Sequence, residues 1–183
     1  MPSTPPTRSA PVGPAAAPRD EVDGILAGWH QARPDLDVTP LAVLSRISRL
    51  ARYLETARRE AFADAGLEGW EFDMLSALRR SGEDALSPGA LMRETLVTSG
   101  TMTTRIDKLA ARDLVRKNRS AQDRRAVEVR LLPEGVARVD AAMERLLAAE
   151  RELLEPLSAD SSAQLANLLR SLLLTFEADN GDG

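Results

Sequence analysis

With 183 residues the chain is long enough for one domain of ordinary size with a real core, and too short for two comfortable ones. Hydrophobic residues reach 43% but aromatic residues only 3%, so the core must come from Ala, Leu, Val and Ile, a composition that favours helices over a sheet sandwich. The net charge is −4, cysteine is absent, and His30 is the one histidine, which excludes disulfides, thiolate metal sites and cysteine nucleophiles and argues against a histidine-based metal site.

No stretch approaches the roughly 18 consecutive apolar residues of a membrane span. The N-terminal MPSTPPTRSAPVGPAAAP lacks the apolar core of a signal peptide, so a cytoplasmic protein with no membrane partner is expected. Residues 1–18 are rich in Pro, Ala, Ser and Thr, have nothing to bury, and read as a disordered tail.

From Asp20, the positions Val22, Ile25, Leu26 and Trp29 follow helical spacing until Pro34, which predicts an additional N-terminal helix within 19–34. Thr39-Pro40 reads as an N-cap followed by proline at the first helical position. It opens a long helix through Leu44, Ile47, Leu50 and Leu54 that ends near Gly66. A further helix carries Phe72, Leu75 and Leu78 and stops at Ser81-Gly82. Ser87-Pro88 repeats the cap-then-proline signal before a short helix to Thr95. After the turn at Leu96-Val97, Thr98 is the expected cap of the next helix, whose inward stripe is Met102, Ile106, Leu109 and Ala110.

Residues 114–117 and 127–132 alternate or cluster β-branched and apolar side chains, so they read as two strands of a hairpin. Pro133 then opens a long helix with Val136, Val139, Met143, Leu146, Leu147, Leu153 and Leu154 on one broad face. A last helix from about Ser158 carries Leu165, Leu168, Leu169, Leu172, Leu173 and Phe176. Two short helices joined by a tight turn and followed by a hairpin describe a winged helix-turn-helix, mainly α with a small β-hairpin. The Leu-rich helices at both chain ends are too apolar for a solvated monomer and need a partner, most simply a second copy.

Charge singles out one segment. Between Arg105 and Arg130 there are nine basic residues and four acidic ones, a local +5 inside a chain of −4. A basic element on an acidic body is the footprint of a protein that meets a polyanion through one surface. On the helix over 98–112, Ser99, Thr101, Thr103, Thr104, Arg105 and Lys108 remain outward. Small hydroxyl side chains let a helix enter the major groove, and Arg and Lys reach guanine edges or phosphate oxygens. Alone, the helix could be an ordinary solvated face. The hairpin changes that balance, because Asp123, Arg124 and Arg125 stand at its tip. A wing arginine suits the narrow, negative minor groove, and a neighbouring Asp can hold its guanidinium.

The stretches GLEGWEFDMLSALRRSG (66–82), TSGTMTTRIDKLAARDLVRK (98–117) and QDRRAVEVRLLPEG (122–135) resemble the MarR (multiple antibiotic resistance regulator) family of dimeric winged-helix transcription factors. The resemblance spans roughly 40–176, and Asp123-x-Arg125 in the wing is its most specific piece. It implies a homodimer joined by N- and C-terminal helices (about 40–65 and 133–177) on a palindromic operator. The family-like region is 40–177, with a DNA-binding core at about 66–133. Asp113 stands where the family usually has glycine, and Leu132 where a Thr often caps the next helix.

A urate-responsive subgroup of the family has an additional N-terminal helix bearing Trp, an Asp on a central helix, and arginines in and after the recognition helix. The matching positions here are Trp29, Asp73, Arg105 and Arg116. The resemblance implies that Asp73 pairs with Arg105 and that a planar anion displaces it. Packing offers another account: Trp29 completes the stripe of Val22, Ile25 and Leu26, and Asp73 can pair with any nearby arginine. The function implied is a ligand-responsive repressor released from its operator by urate or a similar anion, or alternatively a similar regulator with another effector or none. A helical adaptor is the competing class. An enzyme lacks parts: there is no Cys, no second His and no Gly-rich phosphate loop, and no cofactor is expected.

Overall fold

The computed structural model describes residues 18–119 and 127–180, so most of the expected disordered tail and the wing-tip residues Asp123, Arg124 and Arg125 lie outside the described residues. The chain clusters into two compact units, one up to Arg52 and one from Tyr53 onward, with the division falling inside the second helix.

In the first unit, helix α1 (Glu21–Ala32) lies within 19–34, where the apolar spacing predicts it. The Asp20 carboxylate accepts from Val22 N–H at 2.9 Å and Asp23 N–H at 3.2 Å, while Asp23 accepts from Asp20 N–H at 2.9 Å, a complete capping box. The same carboxylates hold Arg46 of α2 (Thr39–Asp64): Arg46 donates to Asp20 at 2.7 Å and to Asp23 at 2.9 Å, and Arg49 pairs with Glu21. Arg46 thereby keeps the Asp20 carboxyl below the usual carboxylate range. The start of α2 differs by one position from the sequence reading. Thr39 is already helical, and Asp37 accepts its N–H at 3.0 Å. A carboxylate is the stronger acceptor, and Thr39 donates its own hydroxyl to that same group.

The second unit continues α2 and adds α3 (Gly69–Arg80), α4 (Pro88–Thr95), α5 (Ser99–Ala111), strands β1 (Val115–Arg119) and β2 (Val127–Leu131), α6 (Pro133–Leu154) and α7 (Ala159–Asn180). Its core is aliphatic, as the composition requires: Met74, Leu75, Leu91, Met102, Leu109, Leu114, Val129 and Val139 are buried, with Phe62 and Phe72 stacked at 4.0 Å between centroids. The strands are antiparallel, from Val115 opposite Leu131 to Arg119 opposite Val127. Leu86, just before α4, exchanges both backbone hydrogen bonds with Val129 at 3.0 and 2.8 Å and so ties the helix-turn-helix to the hairpin. Arg79 of α3 donates to both oxygens of Asp140 on α6 at 2.9 and 3.0 Å, which holds that carboxyl below its usual range.

Among the described residues two helix ends use left-handed backbone at a residue other than glycine. Asp113 has φ +55 after α5, at the position where the family usually has glycine, and Asp is among the residues that tolerate this region. Leu96, φ +54 and 92% exposed, forms the turn between α4 and α5. Where α6 begins, a Cβ on Gly135 would stand 2.1 Å from the Leu114 carbonyl oxygen, so glycine alone permits this approach of α6 to the β1 edge. Leu132 occupies the N-cap of α6 without a side-chain bond, and Pro133 supplies the helix start instead. The outer faces of α6 and α7 stay apolar: Leu147 and Leu153 on α6 and Leu168, Leu172 and Leu173 on α7 are exposed, Leu168 to 67%.

Candidate nucleic-acid interface

Helix α5 is two-sided. Met102, Ile106 and Leu109 are buried, while Ser99, Thr101, Thr103, Thr104 and Lys108 are exposed and Arg105 is half-buried. The period of three and four residues that buries the stripe necessarily turns the hydroxyls outward. Thr98 holds the N-cap position but does not cap: its hydroxyl donates to Thr101 at 3.1 Å. The Thr103 and Thr104 hydroxyls donate back to the carbonyls of Ser99 and Gly100 at 3.3 and 3.2 Å. Their methyl groups and oxygen lone pairs are therefore what the helix offers outward, a combination suited to thymine methyls and base amino groups.

The charges are sorted in the same way. Asp107, the one acid on α5, is neutralised by Lys117 of β1. Among the described residues neither Arg105 nor Lys108 has a carboxylate partner. Both lie over the indole of Trp70, at 5.4 and 6.0 Å from the ring centroid. Trp70 Nε1 in turn donates to Glu68 at 2.6 Å. Trp70, Gly100, Thr101, Thr104, Arg105 and Lys108 line one shallow cleft. Arg116 is exposed on β1 opposite Arg130, and Arg130 has Asp84 and Glu128 each 3.7 Å away.

A second cleft, of about 470 Å³, lies between α2 and α3 and includes Arg58, Arg59, Phe62, Glu68 and Asp73. Here the structure corrects the expected pairing. Asp73 stands 3.9 Å from Arg58, not beside Arg105, and the two residues line different clefts. The reason is the Phe62–Phe72 stack: it packs α3 on α2, so the residue after Phe72 faces the arginine one turn before Phe62. Arg105 instead meets the first turn of α3, where Trp70 is the available face. Trp29 is exposed on α1, in the first unit. Sequence reasoning passed over Trp70 and Arg58. Trp70 in the first turn of a helix, two residues after an acid, was the available signal for the former.

The end of α5 is anchored by a buried charge. Glu71, 2% exposed, accepts from Arg112 through both carboxylate oxygens and also from Glu68 N–H at 2.9 Å. Arg112 also donates to the Gly66 carbonyl at 2.7 Å. Among the described residues no cluster of His, Cys, Asp or Glu could hold a metal ion, and no helix is long and apolar enough to cross a membrane.

Residues 65–126 match the sequence profile of the MarR family. The HTH-type transcriptional regulator PecS of Dickeya dadantii (strain 3937) is 34% identical over 150 residues, covering 81% of this chain and 90% of PecS. This chain belongs to the MarR family. It is accordingly a transcriptional regulator and not an enzyme. Solved MarR-type structures have the same fold. That of a mutant MarR from E. coli, complexed with operator DNA, superposes with a TM-score of 0.61 at 23% identity, covering 75% of this chain and 99% of that one. The structure of Bordetella bronchiseptica BpsR, whose DNA binding is regulated by 6-hydroxynicotinic acid, superposes with a TM-score of 0.57 at 26% identity, covering 71% and 91%. The fold neighbours bear out the mainly helical winged helix-turn-helix expected from the sequence.

Proposed function

We propose that this MarR-family regulator is a homodimeric repressor that reads a palindromic operator with α5 and is released by a small aromatic anion such as urate. The observation that carries the DNA-binding half is the two-sidedness of α5: its acid is paired off, its apolar residues are buried, and its hydroxyls and cations face out. In this reading Ser99, Thr101, Thr103, Thr104 and Lys108 meet the major groove, and Asp123, Arg124 and Arg125 carry the wing into the minor groove. The DNA-binding core is about 66–133, and the helices over 40–65 and 133–177 pair two copies. The exposed leucines of α6 and α7 support that pairing, since so much apolar surface on helix faces favours burial against a second copy.

The effector half rests on chemistry. The cleft of Arg58, Arg59, Phe62 and Asp73 combines guanidinium groups with an aromatic face, which suits a planar anion. The regulation of BpsR by 6-hydroxynicotinic acid supports the same ligand class. We assign effector binding in this cleft to Asp73; Arg105, which lines the other cleft, and Arg116 and Trp29 are proposed as effector-sensing residues on the resemblance alone. A ligand shifts the equilibrium only by its differential affinity, so it must bind the DNA-incompetent form better.

The test is an electrophoretic mobility shift on the DNA upstream of the coding sequence, with and without urate, at two salt concentrations. Binding that weakens steeply with salt and is released by urate supports both halves. Operator occupancy and tryptophan fluorescence unchanged up to millimolar urate would remove this effector and leave the DNA-binding reading standing.

A further inference from the structure

Trp70 belongs to neither α4 nor α5, yet both cations of α5 rest on it. Arg105 Cζ lies 5.4 Å and Lys108 Nζ 6.0 Å from the centroid of its ring. Two cations gathered on one ring repel each other, and long side chains in water would otherwise spread out. The negative face of the indole offsets that repulsion, and among the aromatic rings indole does so best. The ring is itself held: Trp70 is partly buried against the core, and its Nε1–H donates to Glu68 at 2.6 Å. Glu68 is in turn fixed by the α3 start, where its backbone N–H donates to Glu71 at 2.9 Å.

We infer that Trp70 is a positioning residue of the DNA-binding surface: its indole is a rigid platform that sets Arg105 and Lys108 side by side, ready to receive a phosphate of the DNA backbone between them. The inference rests on the reading of α5 as the DNA-facing helix. The ligand chemistry follows from what else lines the cleft. Thr101 and Thr104 add hydroxyls, and Gly100 leaves open space beside the backbone at the helix start. That combination favours a singly charged, tetrahedral oxyanion over a base edge. The platform removes side-chain freedom before DNA arrives, so less ordering remains to be done on binding. It contributes affinity without conferring sequence preference, because phosphates carry no sequence.

The test is a double-mutant cycle on operator binding with the full-length protein. Trp70→Leu, which keeps bulk but removes the ring face, is expected to weaken binding about tenfold, while Trp70→Phe, which keeps a ring face, stays within about threefold of wild type. In the Arg105→Ala/Lys108→Ala background, Trp70→Leu should have no further effect. A merely structural Trp70 would weaken binding by the same factor in both backgrounds, and that additivity would overturn the inference. So would wild-type affinity in Trp70→Leu. Site-specific replacement of Trp70 by a fluorinated tryptophan keeps shape and Nε1–H while draining the ring face of charge. It should weaken binding with unchanged thermal unfolding, and undiminished affinity would count against the platform even if Trp70→Leu does not fold. If Arg105→Ala/Lys108→Ala itself binds operator with wild-type affinity and salt dependence, the reading of α5 fails first and the platform with it. If that variant binds weakly and Trp70→Leu is additive to it, the platform alone fails.

Discussion

Arg112→Ala should destabilise the protein far more than an exposed arginine would suggest. Its partner Glu71 is 2% exposed and sits at the start of α3, where both carboxylate oxygens accept from Arg112 and one also accepts the Glu68 N–H at 2.9 Å. Among the described residues, the carboxylate without Arg112 keeps only that backbone donor, and the Gly66 carbonyl loses a bond of 2.7 Å. Breaking a buried pair by removing one partner costs about 3–5 kcal/mol. The Arg112 side chain is 38% exposed, so water enters the vacated space, and about 2–3 kcal/mol is the expected loss. Glu71→Gln removes the charge but keeps an acceptor for Glu68 N–H, and should cost about 1 kcal/mol. The double variant Glu71→Gln/Arg112→Ala should then be more stable than Arg112→Ala alone, because no unpaired charge remains inside. Urea unfolding of the wild type and the three variants, with matching slopes, measures all four values. An Arg112→Ala loss under about 0.5 kcal/mol, or a double variant as unstable as the sum of the singles, would refute the argument.

Gly135→Ala is expected to cost more than about 3 kcal/mol in thermal or urea unfolding, because its Cβ would meet the Leu114 backbone oxygen at 2.1 Å and neither backbone can yield cheaply. Leu168→Glu with Leu172→Glu should convert a homodimer to a monomer in sedimentation at micromolar concentration, and a wild-type monomer there would end the dimer reading. Arg125→Ala should weaken operator binding by about 1–3 kcal/mol and make the salt dependence shallower by about one ion, read by titration at several salt concentrations. Asp20 should titrate below the ordinary aspartate value of about 3.9, because Arg46 donates to its carboxylate. With the folded value depressed, its contribution is complete above the unfolded value and is lost as pH falls through the folded one. Carboxyl NMR titration should find that Arg46→Ala raises the Asp20 value and leaves Asp140, held by Arg79, where it was.

The helices and the hairpin were legible because each rests on neighbours in the chain. Asp20 and Ser87 cap the helices that follow them, Pro133 opens α6, and the stripe of Met102, Ile106 and Leu109 buries as its spacing requires. The outward set on α5 was legible for the same reason, since a buried stripe leaves only one other face. What tertiary structure decided was which charges meet. Asp73 is claimed by Arg58 and Arg105 by Trp70, and neither choice is written in local spacing. It depends on the Phe62–Phe72 stack that packs α3 on α2 and on the Glu71–Arg112 pair that ties the first turn of α3 to the end of α5. Cap strength is likewise a contest between acceptors, which is why Asp37 displaced Thr39 at the start of α2. Sequence pattern records which residues must leave water, an area effect carried by each side chain alone. Partnership of polar groups depends on distance and direction across elements remote in the chain, and only packing supplies those.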